Sequence, residues 1–232
     1  VEVFVGTSGW LYDWNPESSF DWYVAHSGLN AVELNASFYR FPFRNQVLSW
    51  ARKGGGLRWA VKVNRYVTHI KRLKPEAFNT WVRFHELFKP LDPHIDFYLF
   101  QLPPSMARSE ESLARVRDFA VRTGLGPRFA VEFRHESWFN KETLSMLRDL
   151  GITVVSVDEP GLTWVASTNG IVYLRLHGRN EWYAHNYTRE ELRELVNEVL
   201  RLRPSRVYVF FNNNHWMLDN ARLMLRMLRG EE

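Results

Sequence analysis

Eight short runs rich in β-branched and aromatic residues recur along the 232-residue chain, at 1–6, 31–35, 57–63, 96–102, 128–133, 152–158, 171–177 and 206–211. Val, Ile, Phe and Tyr favour extended backbone, so each run reads as a strand. Helical periods lie between them. Phe78, Trp81, Val82 and His85, extended by Phe88, form one stripe, and Leu192, Leu195, Val196, Val199 and Leu200 form another. Thr188 with Glu191 spells a capping box and marks a helix start. Ser109, Asn140 and Asp219 stand near three further starts. The connection 159–170, EPGLTWVASTNG, shows no helical period.

Strands that alternate with helices build a parallel sheet. Eight such units in 232 residues fit a single-domain (β/α)8 TIM barrel spanning 1–232, irregular at the connection between the sixth and seventh strands. An open doubly wound sheet is the competing architecture. It lacks support because no G-x-G-x-x-G turn follows the first strand.

The chain has no cysteine, which excludes disulfides and thiolate metal sites. A net charge of +4 permits an anionic partner without demanding one. The apolar start VEVFV is too short for a signal peptide and no later stretch is long enough to span a bilayer, so a cytoplasmic protein without a membrane partner is expected. Oligomeric state is not readable from the sequence.

Alternate residues of a strand face opposite ways, and this parity sorts the polar residues. In the second strand Val32 and Leu34 oppose Ala31, Glu33 and Asn35; in the third, Trp59, Val61 and Val63 oppose Ala60, Lys62 and Asn64. In the fifth, Phe129, Val131 and Phe133 oppose Ala130, Glu132 and Arg134; in the seventh, Leu174 and Leu176 oppose Tyr173, Arg175 and His177. One face is apolar and belongs under helices. The other turns polar toward the C-terminal end of the strand, where barrel active sites form. Gln101 closes the fourth strand and Asn212 the eighth, Ser8 extends the small face of the first, and Asp158, sharing parity with Ser156, is assigned inward at the end of the sixth. A buried ion network that only fixes strand register is the competing explanation, although such networks seldom outperform apolar packing.

The motifs GTSGW (6–10), ELNASFYR (33–40), FQLPPS (100–105), VEFRHESWF (131–139), YLRLHGR (173–179) and FFNNN (210–214) occur in this order. In them the chain resembles the domain-of-unknown-function family 72, the YecE-like proteins. The resemblance implies a TIM-barrel fold and no settled activity. It departs from the family at Asn214, where FNND is the commoner ending, and in a short first helical region.

Three chemistries suit the inward set. An anion site, for a phosphorylated or nucleic-acid-like ligand, would use Lys62, Arg134, Arg175 and Arg179, with His69, Asn35, Gln101 and Asn212 as further contacts and Trp10 and Tyr39 as stacking surfaces. Arg175 and Lys62 would hold the anion, and His177 with Glu132, or with Asp158 or Glu33, would move a proton in a hydrolysis. The basic loop NRYVTHIKRLK (64–74) would follow a phosphate backbone, or is simply a solvated loop. A divalent-metal hydrolase or isomerase would draw on Glu33, Glu132, Asp158 and His177, the one cofactor these residue types suggest. A carbohydrate enzyme would need two of the same carboxylates as a pair. A barrel that binds a ligand or nucleic acid without turning it over fits the same residues.

Overall fold

In the computed structural model, which describes residues 1–232, all eight runs are strands and one further strand joins them. In chain order the elements are β1 (Glu2–Thr7), α1 (Phe20–His26), β2 (Ala31–Leu34), α2 (Ala36–Tyr39), α3 (Arg44–Lys53), β3 (Arg58–Lys62), α4 (Phe78–Leu87), β4 (Ile95–Gln101), α5 (Glu110–Thr123), β5 (Phe129–Glu132) and α6 (Lys141–Leu150). There follow β6 (Thr153–Glu159), β7 (Leu162–Trp164), β8 (Ile171–Leu176), α7 (Arg189–Arg201), β9 (Arg206–Phe211) and α8 (Met217–Leu228). Neighbours in the sheet run β1-β9-β8-β6-β5-β4-β3-β2, all parallel, with β7 antiparallel on β6. The eight parallel strands form a nearly closed barrel of the TIM type, with the helices outside.

Helix starts follow the local chemistry. The side chains of Thr188, Ser109 and Asn140 accept hydrogen bonds from backbone N–H groups in the first turns of α7, α5 and α6. Asp219 instead lies inside the first turn of α8.

Closure between β1 and β2 does not use a ladder. One bridge pairs Ser8 with Glu33, and side chains do the rest. Asn30 accepts from the Val5 N–H at 2.8 Å and donates to the Val3 carbonyl at 2.9 Å. The Tyr23 hydroxyl accepts from the Thr7 N–H at 3.2 Å and donates to the Ala31 carbonyl at 2.8 Å. Gly6 permits this approach, since a Cβ there would fall 2.2 Å from the Ala31 carbonyl oxygen.

Two apolar layers result. The outer one, between sheet and helices, contains Val32, Trp59, Val61, Trp81, Val131, Leu174 and Val209. The inner one fills the barrel. Ala31, Ala60 and Ala130 leave room for Phe97, Leu99, Tyr173, Tyr208 and Phe210. Small residues opposite large ones fill a tapering interior without voids.

The connection expected to be irregular doubles back as β7, and its continuation covers part of the outer face of β6, which it shares with α6. Its backbone groups must be paired there. Ser156 exchanges hydrogen bonds with the Ala166 backbone at 3.0 Å, and Thr168 donates to the Ile152 carbonyl. This overturns one parity assignment. Val155 and Val157 belong to the inner layer, so Ser156 and Asp158 face outward.

Candidate functional site

At the C-terminal ends of the strands, six of the inward residues converge in two tiers. The lower tier is sealed: Glu33, Glu132, Arg175 and His177 are fully buried. Arg175 reaches across the barrel from β8. Its Nε and Nη2 donate to the Glu33 carboxylate of β2, the latter at 2.7 Å, and its Nη1 donates to Glu132 of β5 at 2.6 Å. Tyr173 also donates to Glu33, and Ser8 adds a bond at 3.1 Å. The guanidinium thus occupies the space between two carboxylates, where a divalent cation would have to sit.

Burial pushes the Glu132 carboxyl up, but Arg134, Arg175 and His177 outweigh it and hold the group well below the usual carboxylate range. His177 goes the other way. Burial, reinforced by Arg175 and Arg134, lowers it to about 3 against the pull of Glu132. The ring is therefore neutral at pH 7, and its Nε2–H donates to Glu132 at 2.9 Å. Its Nδ1 accepts from Asn212, which lies 3.4 Å away.

Above this tier lies an open cleft of about 470 Å³, lined by Tyr12, Asn35, Phe38, Tyr39, Lys62, His69, Gln101, Pro104, Arg134, Tyr183 and Asn212. That volume lies within the range of small-molecule sites. Lys62 ends β3, and its ammonium stands 4.2 Å over the Phe38 ring. It forms no ion pair. Burial, helped by Arg175 and Arg134 and opposed by Glu132 and Glu33, lowers it to about 7. Arg134 pairs with Glu132 at 3.0 Å and lies 5.4 Å from the Trp182 ring. A π-helical turn, Tyr66–Ile70, follows β3 and carries His69 to the rim. Burial and then the charges of Lys62 and Arg134 lower His69 to about 4, so it too is neutral. Gln101 is tied to the Leu102 carbonyl, whereas the Asn35 Oδ1 has no partner.

No carboxylate lines this cleft. Below it, Glu33 and Glu132 cancel Arg175 and Arg134, which leaves Lys62 as the uncompensated cation.

Four sequence expectations need correction. Asp158 faces outward, where it accepts from Tyr187 at 2.7 Å, Thr163 at 2.5 Å and Arg179 at 3.3 Å. Arg179 follows it and also pairs with Glu194, so neither belongs to the mouth. Arg175 is saturated and sealed, and cannot grip a ligand. Trp10 packs into the outer core against Phe20, Trp50 and Trp59, with centroids 4.7–6.1 Å away. The donor set considered for a metal does not assemble: Asp158 is on the wrong face, Arg175 fills the space between the glutamates, and no group of three His, Asp or Glu side chains forms a cation cage.

Sequence reading also missed a residue. Glu159, next to Asp158, is the inward carboxyl at the end of β6. Its Oε2 is buried without a partner. Burial, with Glu132 and Asp158 adding to it against Arg134 and Arg175, raises it to about 7. Extending the parity of Val155 and Val157 by one step finds it. Tyr12 and Tyr183, from loops, and Phe38, from α2, also line the cleft, where strand parity does not apply.

No helix is long and apolar enough to cross a membrane. No curated protein matches the chain. Among solved structures, a DUF72 family protein from Thermotoga maritima is 32% identical, with a TM-score of 0.84 over 99% of this chain and all of that one. A DUF72 family protein from Enterococcus faecalis is 22% identical, with a TM-score of 0.83 over 98% of each chain. D-Psicose 3-epimerase from Clostridium cellulolyticum, solved with D-tagatose, shares the fold at 14% identity and a TM-score of 0.63 over 99% of each chain. The family model described as "Protein of unknown function DUF72" matches residues 4–232, and a barrel with these motifs at its mouth, matched along its whole length by that model, belongs to the DUF72 family.

Proposed function

We propose that the chain binds a small anionic metabolite, one bearing a phosphate or carboxylate group, in the cleft above the barrel. The observation that carries this reading is the lining: two cations, Lys62 and Arg134, three amides, a neutral imidazole, and no carboxylate. A desolvated amine without a counter-ion is costly to keep charged. A bound anion removes that cost, because it supplies the missing partner and raises the proton affinity of Lys62. Asn35 and Asn212 suit the neutral polar part of such a ligand, and Phe38, Tyr39 and Tyr183 its flat or apolar faces.

The hydrolysis first considered for His177 and Glu132 gains no support from the geometry, because both groups are sealed below the cleft and bonded to each other. A glycosidase-like pair is likewise missing. Glu33 and Glu132 are both held by Arg175, and Glu159 stands without a second free carboxyl. The epimerase neighbour keeps a neutral sugar in view as the competing ligand, favoured only by the amides and aromatic rings of the lining.

A thermal-shift comparison tests the proposal, since a ligand that binds the folded state stabilises it by mass action. Inorganic phosphate, ribose 5-phosphate, ribose and a short DNA duplex are compared on the native chain and on Lys62→Met. Phosphate and ribose 5-phosphate should raise Tm, and the rise should vanish in Lys62→Met. A response to ribose equal to that of its phosphate, or a response to DNA alone, overturns the reading.

A further inference from the structure

Resting on that anion-binding reading, we propose that Lys62 is a nucleophile. Its Nζ, unpaired at the C-terminal end of β3 and facing the cleft beside Arg134, condenses with the carbonyl group of a phosphorylated or carboxylated aldehyde or ketone.

The placement favours attack over mere charge pairing. The arginines on and just past β5 and β8 each have a carboxylate within 3.3 Å: Arg175 has Glu33 and Glu132, Arg134 has Glu132, and Arg179 has Asp158. Lys62, the inward cation of β3, has none. Its ammonium instead lies over the face of Phe38, a contact that displaces water and attracts the charge more weakly than a buried carboxylate would. The backbone beneath it is fixed, because Ser37 donates to the Lys62 carbonyl at 2.6 Å. Arg134 lines the same cleft and can hold the anionic tail while the carbonyl end reaches the amine. Cationic neighbours and partial burial activate a lysine in this way, and the lowering of Lys62 to about 7 agrees with the geometry.

The step balances without a co-reactant. The ammonium first gives one proton to water in the cleft or to His69, which is neutral and lines the same wall. The Nζ lone pair then forms a bond to the carbonyl carbon, and the C=O π pair moves to oxygen. The proton returns, the C–O bond breaks, and oxygen leaves as water with two of the three original ammonium hydrogens. The product is a protonated imine with the third hydrogen on nitrogen. Its positive charge withdraws electrons from the adjacent carbon and makes that carbon's proton easier to remove. The substrate class is therefore carbonyl compounds with an anionic group a few atoms away.

Reductive trapping tests the proposal. The full chain is incubated at pH 7 with sodium cyanoborohydride and either dihydroxyacetone phosphate, pyruvate or neutral dihydroxyacetone, and the adduct is located by peptide mass spectrometry. The two anionic probes separate a phosphate preference from a carboxylate preference, and the neutral one reports what the anion contributes. Lys62 should be labelled at least about tenfold faster than any of the five other lysines, because its amine is desolvated, set beside Arg134 and lowered to about 7. Labelling spread evenly over the lysines, or sparing Lys62, overturns the proposal. Lys62→Arg should lose the adduct, and the phosphate-induced thermal shift of the native chain separates the two readings. A native chain that shows the shift but no adduct refutes the nucleophile and leaves anion binding intact; a chain that shows neither refutes both.

Discussion

The two ends of the barrel carry the same kinds of charged residue in different surroundings. At the N-terminal floor, a polar hollow of about 360 Å³ is lined by Arg58, Asp92, Asp96, Arg128 and Arg206 among others. Asp96 is held by Arg58 and by the Tyr208 hydroxyl, and Asp92 by Arg128 and the Tyr98 hydroxyl. Both its carboxylates are matched by arginines about one-third exposed, Arg58 and Arg128, while Arg206 donates to the Tyr208 hydroxyl and has no carboxylate. At the mouth, the matched pairs lie in a dry tier and an unmatched amine stands above them. The floor also carries one surplus cation, Arg206, but its charges stand in a wet hollow. The mouth keeps its charge balance out of water and leaves the surplus where a ligand can reach it. Charged pairs are therefore poor markers of function here; a cation that lacks a carboxylate and is also withdrawn from water, as Lys62 is, is the better one.

Breaking the sealed tier should have the largest effect. Arg175→Leu leaves Glu33 buried without a counter-charge and Glu132 with Arg134 alone, so unfolding stability should fall by about 3–5 kcal/mol, read from the urea midpoint. A fall below about 1 kcal/mol would show that water reaches this tier and would erase the contrast with the floor. The matching change at the floor, Arg58→Leu, should cost only about 1 kcal/mol because the pair is partly solvated. Its cost should shrink in high salt, and the phosphate response at the mouth should be unaffected. Equal costs at the two ends would refute the distinction.

A further effect concerns pH. Glu159 keeps its proton up to about 7 in the folded chain, against an ordinary value of 4.5. The folded state therefore binds more protons between these values, and the stability this group contributes falls as pH rises through that window. Glu159→Gln should flatten the urea-midpoint profile there and leave it unchanged below. A variant with the native slope would mean that Glu159 is solvated like the floor carboxylates.

Strand parity made much of this legible. Glu33, Lys62, Glu132, Arg134, Arg175 and His177 were placed at one end of one chamber by alternation alone, because all six lie on or just past strands that pack one apolar face under helices. The rule failed at β6. There the returning loop shares the outer face with α6, and polar side chains are needed on that face to satisfy the loop, so Asp158 mimicked an inward residue while Glu159 went unnoticed. Division of the mouth into a sealed and an open tier was not legible either. Which arginine is saturated depends on distances across the barrel, and parity carries no information about depth. Trp10 escaped for a related reason: it lies two residues beyond the last bridge of its strand, where packing against Trp50 and Trp59 decides its direction.

The seam between the first two strands has a dynamic consequence. The amide protons of Val5 and Thr7 rest on side-chain acceptors, Asn30 and Tyr23, and not on a neighbouring strand. Breathing of the cylinder is directed to this line, because it is the place where fewest ladder bonds must be released together. Amide exchange should be fastest there. Each opening parts β1 from β2 beside Glu33 and leaves Lys62 and Arg134 on the same continuous side of the split, so the cleft keeps its two cations in register while the wall opposite them moves.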